Sequence, residues 1–141
     1  GWRIGMAVGN ARAIQALSVI KTNIDSGVFL PVQEAATVAL NGDQSWIVER
    51  NMIYQRRRDI VMDWLPKVGL KARPPKGALY VWAKLPEGAD AEAWATEMLE
   101  KAGVWLTPGN AYGECGKGYL RISLCTPEER LAEAGERLSN V

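Results

Sequence analysis

The chemistry this sequence offers rests on arginine, tyrosine and a run of glycines. It contains no histidine, so the commonest general base and the commonest metal ligand are both missing. Arg121 lies in a strand-like run in which Leu120, Ile122 and Leu124 alternate with Tyr119, Arg121 and Ser123. Successive strand side chains point to opposite faces, so the apolar set faces a core and Arg121 faces away from it. A solvated surface charge is one reading of such an arginine. A binding group is the other. Thr107, Pro108, Gly109 and Asn110, with Gly113, Gly116 and Gly118, make a loop able to bring backbone against a small ligand. A planar guanidinium suits a bidentate grip on a carboxylate.

Arg3 stands in a second strand-like stretch, residues 2–9, with Trp2, Ile4, Met6 and Val8 on one face and Arg3, Gly5, Ala7 and Gly9 on the other. The small residues leave room for a ligand or another backbone, and a tightly packed sheet interior explains them equally well. No hairpin partner lies beside this stretch, and a lone strand cannot satisfy its own backbone. The chain is therefore expected to be a piece of something longer. A third cluster, Arg56-Arg57-Arg58, fans around a helix in three directions and reads as a mostly solvated face rather than a phosphate site.

The elements that must position these groups fit a single-domain length. With 141 residues, 48% of them hydrophobic, about two thirds of the unfolded surface can be buried. Lysine and arginine number 17 against 16 acidic residues, which gives no basic field for nucleic acid and no acidic tail. Cys115 and Cys125 lack zinc-like spacing, so a reduced, cytoplasmic setting is expected. No apolar stretch approaches membrane-spanning length, and no charged leader or signal core opens the chain.

Asn10 predicts the N-cap of a helix to about residue 22, with Ile14, Leu17 and Lys21 along one side. Pro31 opens a second helix over 32–40, which Asn41-Gly42 stops. Ser45 or Asp43 caps a long helix over about 46–68, with Ile53, Ile60, Trp64 and Val68 as its stripe, Val61 and Leu65 widening it, and Pro66 disturbing its last turn. An extended run at 70–75 and a strand at 78–85 follow. Asp90 caps a helix through 101 that closes at Gly103. Strand, loop and strand then span 104–124. Thr126-Pro127-Glu128-Glu129 reads as a capping box for a final helix to about 138. The tryptophans are expected mostly in the core. This order predicts an α+β fold, with helices over one face of a small, mostly antiparallel sheet.

Four ordered motifs carry a resemblance: Gly1-Trp2-Arg3-Ile4-Gly5; Pro75-Lys76-Gly77-Ala78-Leu79-Tyr80-Val81-Trp82; Gly103-Val104 through Pro108-Gly109-Asn110-Ala111-Tyr112-Gly113; and Gly118-Tyr119-Leu120-Arg121-Ile122-Ser123. In this order the chain resembles the C-terminal part of class I/II aminotransferases, the fold type I enzymes that use pyridoxal 5′-phosphate. The stretch 21–33, KTNIDSGVFLPVQ, looks like the family's segment near the dimer interface, and its wording is most similar to LL-diaminopimelate aminotransferases. The resemblance implies that residues 1–30 end the large cofactor-binding domain and 31–141 form the small C-terminal domain, with a long interdomain helix near 45–68.

The same resemblance implies that Arg3 pairs with the cofactor phosphate and Arg121 binds the substrate α-carboxylate, with Asn110 and Tyr112 bordering that site. It implies amino-acid and 2-oxo-acid substrates and a homodimeric parent, while composition, charge and hydropathy lead us to expect no metal, nucleic acid or membrane partner. The family's Schiff-base lysine precedes the first motif, and none of Lys21, Lys67, Lys71, Lys76, Lys84, Lys101 or Lys117 sits in a matching one. The chain alone is therefore expected not to transaminate. A rival reading is a non-enzymatic α+β ligand- or RNA-binding module with Tyr80, Trp82 and Tyr119 as a stacking platform. The near-neutral charge and the absence of an aromatic–basic RNA motif speak against it.

Overall fold

The computed structural model describes residues 2–141 and divides into two compact units, Gly1–Trp46 and Ile47–Val141. In the first unit, residues 2–10 run irregular and exposed. The strand expected over 2–9 does not form. A strand needs a hydrogen-bonded neighbour, and no strand among the described residues pairs with this stretch. Arg3, expected on that strand, instead takes a left-handed backbone with φ of 60°, a sparsely populated region for a residue with a Cβ.

Helix α1 (Ala11–Ile24) starts where the Asn10 side chain accepts a hydrogen bond from the Arg12 amide at 3.0 Å, as its cap position predicts. At its far end Lys21 pairs with Asp25 at 2.5 Å. That pairing, and then the Gly27 amide donating to the same carboxylate, hold the Asp25 carboxyl below the ordinary carboxylate range. Helix α2 (Leu30–Asn41) carries Pro31 in its first turn and stops at Gly42. Neither helix buries a residue.

Helix α3 (Ser45–Trp64) begins beside Asp43, whose carboxylate accepts the Ser45 amide at 3.0 Å. The expected continuation to residue 68 tightens into a 3-10 turn, Leu65–Val68. Pro66 has no amide hydrogen to donate, and its ring clashes with the preceding turn, so the α-helical pattern gives way there. Gly69, at φ of 75°, ends the turn in the left-handed conformation that suits glycine.

The second unit continues with β1 (Lys71–Ala72), β2 (Tyr80–Lys84), α4 (Ala91–Ala102), β3 (Thr107–Pro108), β4 (Tyr119–Ser123) and α5 (Glu128–Ser139). The strands form one antiparallel sheet in the order β1-β2-β4-β3. The extended run at 70–75 and the strands expected over 78–85 and from 104 all yield strands shorter than those spans. β2 starts only after Ala78, which adopts φ of 67° and bends the chain away from the ladder. β1 and β3 keep two residues each because only those lie opposite a partner.

One face of this sheet is closed. Val81, Ala83, Leu120 and Ile122 are buried in a cluster with Val61, Trp64 and Leu65 from α3 and its 3-10 turn, Ala95 and Met98 from α4, and Leu131 and Leu138 from α5. Removing such side chains from water is the main source of stability here. Gly135 lets α5 approach α3: a Cβ there would lie 2.5 Å from the Trp64 ring. Asp90 caps α4 by accepting the Ala93 amide at 2.8 Å, and Gly103 closes it at φ of 66°.

Two expectations fail. Of the tryptophans only Trp64 is buried and Trp94 packs half-buried against the core, while Trp46, the last residue of the first unit, keeps 48% of its surface and Trp82 and Trp105 keep 41% and 53%. An indole is amphipathic enough to tolerate half exposure, so its presence on a helix or strand does not fix its face. The capping box also does not form: Pro127 occupies the cap position without a side-chain cap bond. Helix α5 starts one residue later than expected, which takes Glu129 out of the reciprocal position that the box requires. Glu128 turns to a tertiary partner instead, Arg56 at 3.1 Å. Arg57 donates to the Leu124 carbonyl at 3.1 Å, and Arg58 to Asp59. Two of the three arginines thus stitch α3 to the chain after β4 and to the start of α5, where a mostly solvated face was expected.

Candidate functional site

The other face of the sheet is open. Because β2 and β4 pair with Tyr80 opposite Ser123, Trp82 opposite Arg121 and Lys84 opposite Tyr119, all six side chains stand on that face, and β3 adds Thr107 opposite Arg121. The register thus places the arginine at the centre of an aromatic surface, flanked on both sides by paired backbone.

Arg121 is held by rings. Its guanidinium carbon lies 4.4 Å from the Tyr80 ring centre and 4.9 Å from that of Tyr112, both within cation–π range. Tyr112 reaches it from a loop of two short 3-10 turns, Gly109–Tyr112 and Glu114–Gly116. Gly109 and Gly116 pack backbone to backbone, and a Cβ on Gly109 would come within 2.8 Å of the Tyr119 carbonyl and 2.9 Å of the Trp82 ring. No side chain fits there, so these glycines set how closely the loop lies on the sheet. Trp82 meets Tyr112 at 5.6 Å and Tyr119 at 6.2 Å, edge to face in both cases.

The electrostatics of the site are incomplete. The Arg121 guanidinium forms no ion pair or hydrogen bond with any other described residue, and its Nε is buried without an acceptor. Leaving a buried donor unpaired costs roughly 1–3 kcal/mol, so a group in this state is chemically suited to an anion that supplies the missing acceptor.

Asn110 is placed at the same loop. Its Nδ2 donates to Glu92 at 2.5 Å, and its Oδ1 is buried without a donor. Sequence reasoning did not single out Glu92, which stands in the first turn of α4. It also named Tyr80 only as a possible stacking residue. The signal was present in the alternation of Tyr80 and Trp82, but the pairing register that brings Tyr80 beside Arg121 is a tertiary fact. Arg3 lies in the first unit, exposed and without an ion pair among the described residues.

Residues 1–138 match the family model described as aminotransferase class I and II. The LL-diaminopimelate aminotransferase of Dehalococcoides mccartyi is 48% identical over 140 residues, covering 99% of this chain and 36% of the relative. That of Desulforudis audaxviator is 51% identical over 138 residues, covering 98% and 35%. Among solved structures, an aspartate aminotransferase from Rhizobium meliloti matches with a TM-score of 0.83 and 36% identity over 99% of this chain and 37% of its own. The chain thus spans about a third of the length of these relatives. On the family match over nearly its whole length, this chain belongs to the class I and II aminotransferases.

Proposed function

We propose that this chain forms the C-terminal part of a homodimeric, cytoplasmic, pyridoxal-phosphate-dependent transaminase that moves an amino group between an amino acid, LL-diaminopimelate, and a 2-oxo acid. The relatives that carry the diaminopimelate name support the substrate. In this reading residues 1–30 complete the large domain and 31–141 form the small one, with the long helix near 45–68 joining them.

The observation that carries the reading is the unpaired Arg121 on the open face of the sheet. Arg121 grips the substrate α-carboxylate through paired N–H···O bonds and so fixes the orientation of the Cα–H bond that must break. Asn110 and Tyr112 border the carboxylate. Of the groups that would hold the cofactor, this chain supplies Arg3, whose exposed guanidinium has no counter-charge among the described residues and fits a phosphate. When bound, pyridoxal phosphate supplies the electron sink for the electron pair left at Cα. The lysine that anchors it belongs to the upstream part of the parent, so the chain by itself does not transaminate.

The test is Arg121→Ala in the full-length parent. Loss of a charge-assisted pair predicts a rise in KM for the amino acid of about a hundredfold, with the absorbance of the bound cofactor unchanged. An unchanged KM would remove Arg121 from this role.

A further inference from the structure

We infer that Tyr80 and Tyr112 form an aromatic clamp that sets the guanidinium of Arg121 for its anion, and that Tyr80 is a positioning residue for carboxylate binding. The inference rests on the reading of Arg121 as the carboxylate-binding arginine, and adds to it a residue that touches Arg121 rather than the ligand.

Three observations converge. Both rings lie on the guanidinium, at 4.4 Å for Tyr80 and 4.9 Å for Tyr112. The two tyrosines come from different elements, one from a five-residue strand in full register with β4, the other from a loop pinned by the Gly109–Gly116 contact. No carboxylate among the described residues competes, since the Arg121 guanidinium has no ion pair among them and its Nε is buried with no acceptor.

A flexible arginine must surrender rotamer freedom when it binds a carboxylate, and fixing it beforehand removes that cost from the binding step. A ring takes up a face of a guanidinium, whereas a carboxylate approaches along its N–H edge, so the two kinds of contact use different parts of the group and do not compete. The strand-borne Tyr80 is the fixed jaw. Its position follows from backbone pairing, while Tyr112 follows the loop.

The experiment uses the full-length holoenzyme and compares Tyr80→Leu, Tyr80→Met, Tyr80→Phe, Arg121→Ala and the double variant Tyr80→Leu/Arg121→Ala. Tyr80 keeps 37% of its surface exposed, so these changes do not open the core. Loss of the ring in Tyr80→Leu and Tyr80→Met should raise KM for both the amino acid and the 2-oxo acid, which share the carboxylate, by about fivefold to tenfold, with kcat and cofactor absorbance little changed. Tyr80→Phe keeps the ring and should stay near wild type. In the Arg121→Ala background, Tyr80→Leu should add nothing, because the group it positions is gone.

If Arg121→Ala raises KM while Tyr80→Leu and Tyr80→Met do not, the clamp is overturned and the carboxylate reading stands. If Arg121→Ala leaves KM unchanged, the carboxylate reading falls and the clamp with it. A Tyr80→Phe defect as large as that of Tyr80→Leu would assign the effect to the hydroxyl and overturn the clamp, as would a full effect of Tyr80→Leu in the double variant.

Discussion

The two units of this chain reach helical structure by different routes. Helices α1 and α2 of the first unit bury none of their residues, and Val19, Ile20, Val38 and Leu40 all stay exposed on them. In the second unit α3, its 3-10 turn, α4 and α5 close one face of a sheet over a single apolar cluster. Caps and short-range side-chain pairs are enough to outline a helix, but most helical stability in proteins comes from packing an amphipathic face. The first unit displays the local signals alone and the second displays both.

The sharpest way to break this contrast is to cut the same kind of group from each unit. Leu120→Ala removes a side chain with no exposed surface and should cost the second unit about 2–5 kcal/mol, whereas Val19→Ala, at 57% exposure, should stay within about 0.5 kcal/mol. Denaturant titrations of the two variants measure both, and equal effects would erase the distinction.

A smaller effect is expected from Gly135→Ala. The added methyl meets the Trp64 ring at 2.5 Å, and overpacking of this kind costs roughly 1–3 kcal/mol. Tryptophan fluorescence during unfolding reports it, and a stabilised variant would show that α5 can move off α3 freely.

The smallest effect is local and depends on pH. Asp25 is held below its ordinary value of 3.8, first by Lys21 and then by the Gly27 amide. A carboxyl whose folded value is depressed contributes stability above the unfolded value and loses it as pH falls through the folded one. Protection of the amides at Lys21 to Gly27, taken relative to their intrinsic exchange rates, should therefore fall only below about pH 4. A loss of that protection already above pH 5 would assign the end of α1 to another group.

Much of the order of elements was legible because its signals are short-range. Asn10 and Asp90 begin helices through their side-chain caps, Gly69 and Gly103 end them in the left-handed backbone that suits glycine, and Gly42 stops α2 with an ordinary φ of −81°. Thr126 shows the limit of such reasoning. Its sequence fits a capping box, yet a start one residue later and the pull of Arg56 on Glu128 leave the box unformed. The stretch 2–9 shows another limit, since alternation is compatible with a strand but cannot provide the neighbour a strand requires.

The candidate site divides in the same way. That Arg121 would leave the core and face outward followed from the alternation of 119–124 alone, because the pleat has a period of two. That loop glycines would let backbone come close was likewise written in residue type. Which residues surround the arginine was not. Tyr80 lies 41 positions away in the sequence and reaches Arg121 only because β2 and β4 pair in one register, and a slip of one residue would turn Tyr80 into the core. Residue types and their period determined the side of the sheet on which the arginine stands. The tertiary structure decided its company, because register and loop closure depend on contacts between segments that no local pattern encodes.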